Sequence, residues 1–176
     1  MEINSLFGVP AHPLFVHAPV VLTPLAALTA FLMFRARWRK SFLWVTVALS
    51  GVALLGAQLA VASGWPLEES VESESQALEL HANLGEATRT LIAVFFLVTL
   101  ALAFYELVLA RRSDGKTSAL NRQIATVMTA AMVLSGTLAT VWIVRVGHQG
   151  AEITWKDVGT GSGESGESGE SGESGE

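Results

Sequence analysis

Residues 91–112 read LIAVFFLVTLALAFYELVLARR. The apolar run carries a single charge, Glu106, before it meets Arg111 and Arg112. A hydrocarbon core about 30 Å thick is crossed by about 20 residues of helix. In lipid a helix pairs all of its own backbone polar groups, which an isolated strand cannot do. The stretch therefore predicts a membrane-spanning helix that ends at a basic border.

Working outward, three more segments have the same character, at about 17–34, 42–63 and 124–144. With about 91–110 they predict an all-α, four-helix transmembrane bundle spanning residues 1–159, followed by a tail over 160–176. The composition agrees: 51% hydrophobic residues and only 15% charged ones, with the apolar residues gathered in long blocks as in membrane proteins. Three connections follow: a short basic one at 35–41, a longer acidic one at 64–90 and a second basic one at 111–123.

The charges are sorted by connection. Arg35, Arg37, Arg39 and Lys40 lie in the first, and Arg111, Arg112, Lys116 and Arg122 in the third, together eight of the eleven basic residues. Loops rich in Lys and Arg stay in the cytoplasm, so both termini and the 64–90 segment are expected outside (N-out/C-out) in a bacterial cytoplasmic (inner) membrane. Of sixteen acidic residues only Glu106 and Asp114 fall on the inner half. Trp38 and Trp44 flank the first basic loop, while Trp65, Trp142 and Trp155 lie near the outer ends, the level that amphipathic rings prefer. Residues 1–10 hold no Lys or Arg, so the first apolar run reads as a retained helix rather than a cleavable signal. From Gly161 the chain repeats Ser-Gly-Glu, with nothing apolar to bury, and a disordered acidic tail is expected.

Small residues suggest how the helices pack. The fourth span carries Thr129, Ser135, Gly136, Ala139 and Thr140, and the second Gly51, Gly56, Ala57 and Ala60. Small side chains let helix backbones approach in lipid, so these two helices are expected to supply much of the tight packing. Gln58, an amide deep in a span, is expected to point inward. Glu106 is expected to pair with a loop arginine, and Pro19 and Pro24 to favour a kink in the first helix.

There is no cysteine, which excludes disulfides, thiolate metal sites and c-type haem attachment through a C-x-x-C-H motif. The four histidines are His12, His17, His81 and His148. At about 1.5 Å of rise per residue, His17 lies about 27 Å from the inner border and His148 about 37 Å, so the set gathers near the outer face. Imidazole is the commonest metal ligand and the usual axial ligand of haem. If both His12 and His17 are helical they point about 140° apart and serve different sites. The alternative is that Pro13 opens the helix and His12 folds back from the loop. Arg145, three residues before His148, is a candidate partner for a haem propionate, Glu86 or Glu152.

Residues 12–19 read HPLFVHAP and residues 147–155 read GHQGAEITW. Together with a histidine ahead of the third span, these resemble the bacterial four-helix membrane family catalogued as domain of unknown function 2231. The likeness covers most of residues 5–159. The family usually has Phe where this chain has Ala18 and Tyr where it has Trp155, and neither change touches a candidate ligand. Some relatives are joined to Rieske or cytochrome c domains, so the resemblance implies a respiratory or electron-transfer setting, with b-type haem held by histidine pairs.

Three functional readings follow. The first is a membrane redox protein binding b-type haem through His12, His17, His81 and His148, with Arg145 nearby. The second is a zinc or copper site on the same histidines, with Glu79, Glu86 or Glu152 as further ligands. The third is a non-catalytic subunit or scaffold among other respiratory or redox membrane subunits. The spans hold almost no ionisable groups and no matched broken helices, which argues against a transporter. No nucleophile–base–orienter set argues for a hydrolase, no phosphate-binding fingerprint is found, and no basic surface suits nucleic acid. The basic loops are expected to meet anionic lipid of the bilayer.

Overall fold

A computed structural model describes residues 5–6, 9–70, 76–112 and 118–155. The acidic tail lies outside the described residues. Four helices account for nearly all of them: α1 (Ala11–Leu32), α2 (Ala36–Ser70), α3 (Gln76–Arg112) and α4 (Ala119–Trp155). Ahead of α1, Ser5–Leu6 and Val9–Pro10 form a minimal antiparallel pair, β1–β2, with Ser5 opposite Pro10 and Leu6 opposite Val9.

All four helices are long and apolar enough to cross a membrane. Three of them outrun it. At about 1.5 Å per residue, α2 is about 52 Å long and α3 and α4 about 55 Å, against about 30 Å of hydrocarbon. The 64–90 segment, expected as a loop, is therefore mostly helix on both sides of residues 71–75. Likewise the 35–41 loop shrinks to a turn at residues 33–35, where i→i+3 bonds tighten the end of α1: Met33 N to Ala30 O (3.1 Å), Phe34 N to Phe31 O (3.2 Å) and Arg35 N to Leu32 O (3.3 Å). Apolar length marks where lipid ends. It does not mark where a helix ends, because water tolerates a continuing helix. Ser118 opens α4 by accepting the Asn121 N–H at 3.2 Å, an N-terminal cap.

The helices run up and down in ring order: α1 touches α2 and α4, and α3 touches α2 and α4, while α1 and α3 stand on one diagonal and α2 and α4 on the other. α2 and α4, expected to supply much of the tight packing, are therefore not neighbours of each other. Their glycines do admit close neighbours, but from α1 and α3. A Cβ at Gly56 would lie 2.7 Å from the Ala18 Cβ, one at Gly51 3.2 Å from the Phe96 ring, and one at Gly136 3.0 Å from Phe95 and 3.2 Å from Ala27. α1 runs through both prolines unbroken. Pro19 has no N–H for the Phe15 carbonyl, and that oxygen faces Gly56, 3.5 Å from where its Cβ would be.

Small and hydroxyl-bearing side chains fill much of the interior, among the fully buried Met33, Ile92, Phe95, Leu102 and Met132. Thr23, Thr46, Ser50, Thr99 and Thr129 are fully buried, as are Ala26, Ala30, Ala53 and Ala139. Most hydroxyls bond back to their own helix, such as Thr99 to Phe95 O (2.8 Å), but Thr29 and Thr46 join α1 to α2 at 2.9 Å. Many other large apolar residues face outward: Leu134 is 71% exposed and Phe104 69%. In water that exposure would be costly; in lipid it is the expected arrangement. At the end holding the α1–α2 turn, buried Arg39 pairs with Glu106 at 3.5 Å, meeting the expectation for Glu106, and Tyr105 donates to the Asn121 side chain at 3.3 Å. Gln58 differs from expectation. It faces outward and accepts from Arg89 at 3.4 Å, so two polar groups satisfy each other on the surface.

Candidate functional site

The four histidines lie toward the bundle end opposite the α1–α2 turn, and they divide into two sets. His12 sits in the first turn of α1, which begins at Ala11, so both His12 and His17 are helical and point to different sides. His12 turns toward α2: its Nδ1 lies 2.8 Å from the Ala60 carbonyl oxygen, and its ring packs 3.3 Å from the Cβ position of Gly64. A carbonyl can only accept, so Nδ1 carries the proton and Nε2 of the neutral ring keeps the lone pair. Ser63 donates to the same carbonyl at 3.1 Å, which fixes the acceptor further.

His81 comes from α3, across the diagonal. Its ring packs 3.1 Å from the Cβ position of Gly150 on α4, and the His12 and His81 rings are near enough for their charges to interact. Glycine at 64 and 150 leaves room for an imidazole where any side chain would crowd it. Three buried polar atoms on α3 and α4 have no hydrogen-bond partner within the chain: His81 Nδ1, Gln149 Oε1 and, further down α4, Trp142 Nε1. The sequence reading named Ala60 only for packing and did not single out Gly64, Gln149 and Gly150. Of these, only Gln149, beside His148 in the GHQG run, carried a signal that could have been read.

His17 and His148 face away from this pair. His17 is exposed and donates through Nδ1 to the Pro13 carbonyl one turn back. His148 is exposed and pairs with Glu152 at 3.3 Å. Arg145 stacks over the Trp142 ring at 5.1 Å, rather than on Glu86 or Glu152. Among the described residues no three His, Asp or Glu side chains gather as a metal-binding group. The structure thus brings together His12 and His81 and leaves His17, His148 and Arg145 outside that pair.

No curated protein and no solved structure matches the chain. The family described as "Predicted membrane protein (DUF2231)" matches residues 8–162, a range that takes in all four histidines and all four helices. Four helices long and apolar enough to cross a membrane lie in that range, and the chain belongs to this family of predicted membrane proteins.

Proposed function

We propose that the chain is a membrane electron-transfer protein that holds b-type haem through His12 and His81. The observation that carries this reading is the bond from His12 Nδ1–H to the Ala60 carbonyl. Metal-ligating histidines commonly donate their second ring nitrogen to a carbonyl or carboxylate, which fixes the ring and presents the other nitrogen as a ligand. His81 supplies a second imidazole from the facing helix. Two imidazoles match the axial ligands of haem, whereas tetrahedral zinc draws on four ligands. The ligand set therefore favours haem over zinc. Bound there, haem supplies one-electron chemistry. The chain's own residues would orient the imidazoles (Ala60), give the rings space (Gly64, Gly150) and offer polar atoms at the same end (Gln149, His81 Nδ1).

Absorbance of protein purified after haem-replete expression tests the proposal. A Soret band is expected in the wild type, lost in His12→Ala and in His81→Ala and kept in His17→Ala and His148→Ala. A wild type without the band, or a band that survives both of the first two changes, overturns it.

The charge sorting supports a histidine end outside the cytoplasm of a bacterial inner membrane. Arg35, Arg37, Arg39, Lys40, Arg111 and Arg122 cluster at the other end of the helices. A periplasm-active phosphatase fused after residue 160 is expected to be active, and the same fusion after residue 115 inactive. The reverse pattern would invert the topology.

A further inference from the structure

On the lipid-facing side of the seam between α1 and α4 runs an apolar groove of about 260 Å³, lined by Pro24, Leu28 and Phe31 of α1 and by Val133, Thr137 and Thr140 of α4. It is separate from the His12–His81 pair, which faces the interior. Helical periodicity extends both walls toward the histidine end. Seven residues make about two turns and eleven about three. His17 lies seven residues from Pro24 and His148 eleven from Thr137, each on the face that lines the groove. Ala27 meets Gly136 across this seam, and counting ten residues outward along each helix brings His17 level with Val146, two residues from His148. Between groove and histidines the surface is Val20, Val21, Val141 and Val144, all exposed. The seam is thus one strip, apolar from Phe31 to Val144, that ends in two exposed imidazoles with Arg145 and Glu152 beside them.

We propose that this strip binds a lipid-soluble quinol, with its tail along the groove and its ring hydroxyls between His17 and His148. The head chemistry selects that class. His17 donates through Nδ1 to Pro13, which leaves Nε2 of the neutral ring as an acceptor. His148 meets Glu152 through Nε2, which leaves Nδ1. Two acceptors on neighbouring helices suit a flat, uncharged head with a hydroxyl at each side. A phosphate head would meet the Glu152 carboxylate, while Arg145 is held over the Trp142 ring, and among the described residues these side chains form no metal-binding group. Binding on this outer face does not rest on what His12 and His81 hold.

Protein in nanodiscs of zwitterionic lipid, photolabelled with an azidobenzoquinol bearing a decyl tail and mapped by mass spectrometry, tests this. Label is expected on the facing walls of α1 and α4, displaced by unlabelled decyl quinol and not by a diacylglycerol, a hydroxyl-headed lipid without the ring. The His17→Ala/His148→Ala double variant should lower that label roughly fivefold, as expected for loss of one to two hydrogen bonds at a partly wet site. Thr137→Trp, which fills the groove and leaves both histidines intact, should lower it comparably. Label spread evenly over the lipid-facing surface, equal displacement by the diacylglycerol, or unchanged label in either variant overturns the proposal.

Discussion

Gly56→Leu is expected to leave little folded protein, and Gly56→Ala to cost about 2–3 kcal/mol of stability, the upper range for overpacking a close-packed interior. The added Cβ would stand 2.7 Å from the Ala18 Cβ and 3.0 Å from the Pro19 Cδ. Neither atom can rotate aside: one is fixed to the α1 backbone and the other belongs to a closed ring. α1 as a whole must therefore move, and with it the Phe15 carbonyl that Pro19 has left without its helical donor. Gly51 is the internal control. There the neighbour is the edge of the Phe96 ring at 3.2 Å, which can shift a few tenths of an ångström, so Gly51→Ala is expected within about 1 kcal/mol of the wild type. At Gly85 and Gly147 a Cβ meets nothing within 4 Å, and alanine there should stabilise by about 0.5–1 kcal/mol through helix propensity. Thermal unfolding in detergent, followed by helical circular dichroism, measures the series. Equal losses at positions 51 and 56 would show that the α1–α2 approach is not the tight one.

Arg39→Met is expected to cost about 3 kcal/mol, the low end for breaking a buried ion pair, because it leaves the partly buried Glu106 carboxylate without its cation. The two side chains are 9% and 22% exposed, and the pair ties the start of α2 to the far end of α3. Desolvation sets the sign of the effect. Burying an ion is expensive, and an opposite charge offsets that cost only while both are present. Adding Glu106→Leu to Arg39→Met should therefore recover most of the loss, since a well-packed apolar pair often equals a buried ion pair. The same unfolding measurement reads both variants. A double variant no more stable than the single one would mean that Arg39 contributes by packing its stem and not by its charge.

The spans were legible in the sequence because lipid imposes one demand on every residue in them, and the runs around Phe95, Leu134 and Leu55 answer it without ambiguity. The ends of the helices were not, since polar residues such as Glu79, His81 and Glu86 are equally compatible with helix or loop once water is available. Neighbour choice was also hidden. Gly56 and Gly136 announce that something comes close, but not which helix it is. Gln58 was misread because an amide in an apolar run suggests burial, whereas Arg89 reaches it on the outside. For the histidines, depth and the angle between His12 and His17 could be computed from helical geometry alone. That His12 shares its end of the core with His81, while His17 and His148 lie along one seam, depends on ring order, and no single helix encodes ring order.

That ring order has a consequence for assembly. His12 and His81 belong to helices that share no seam, so a ligand gripping both rings would act as a cross-brace over the open end of the bundle. Its binding free energy would add to the stability of the whole and to none of the helix pairs alone. Helical hairpins inserted one after another could not capture it, and the finished four could. Loading would then serve as a checkpoint on completed folding.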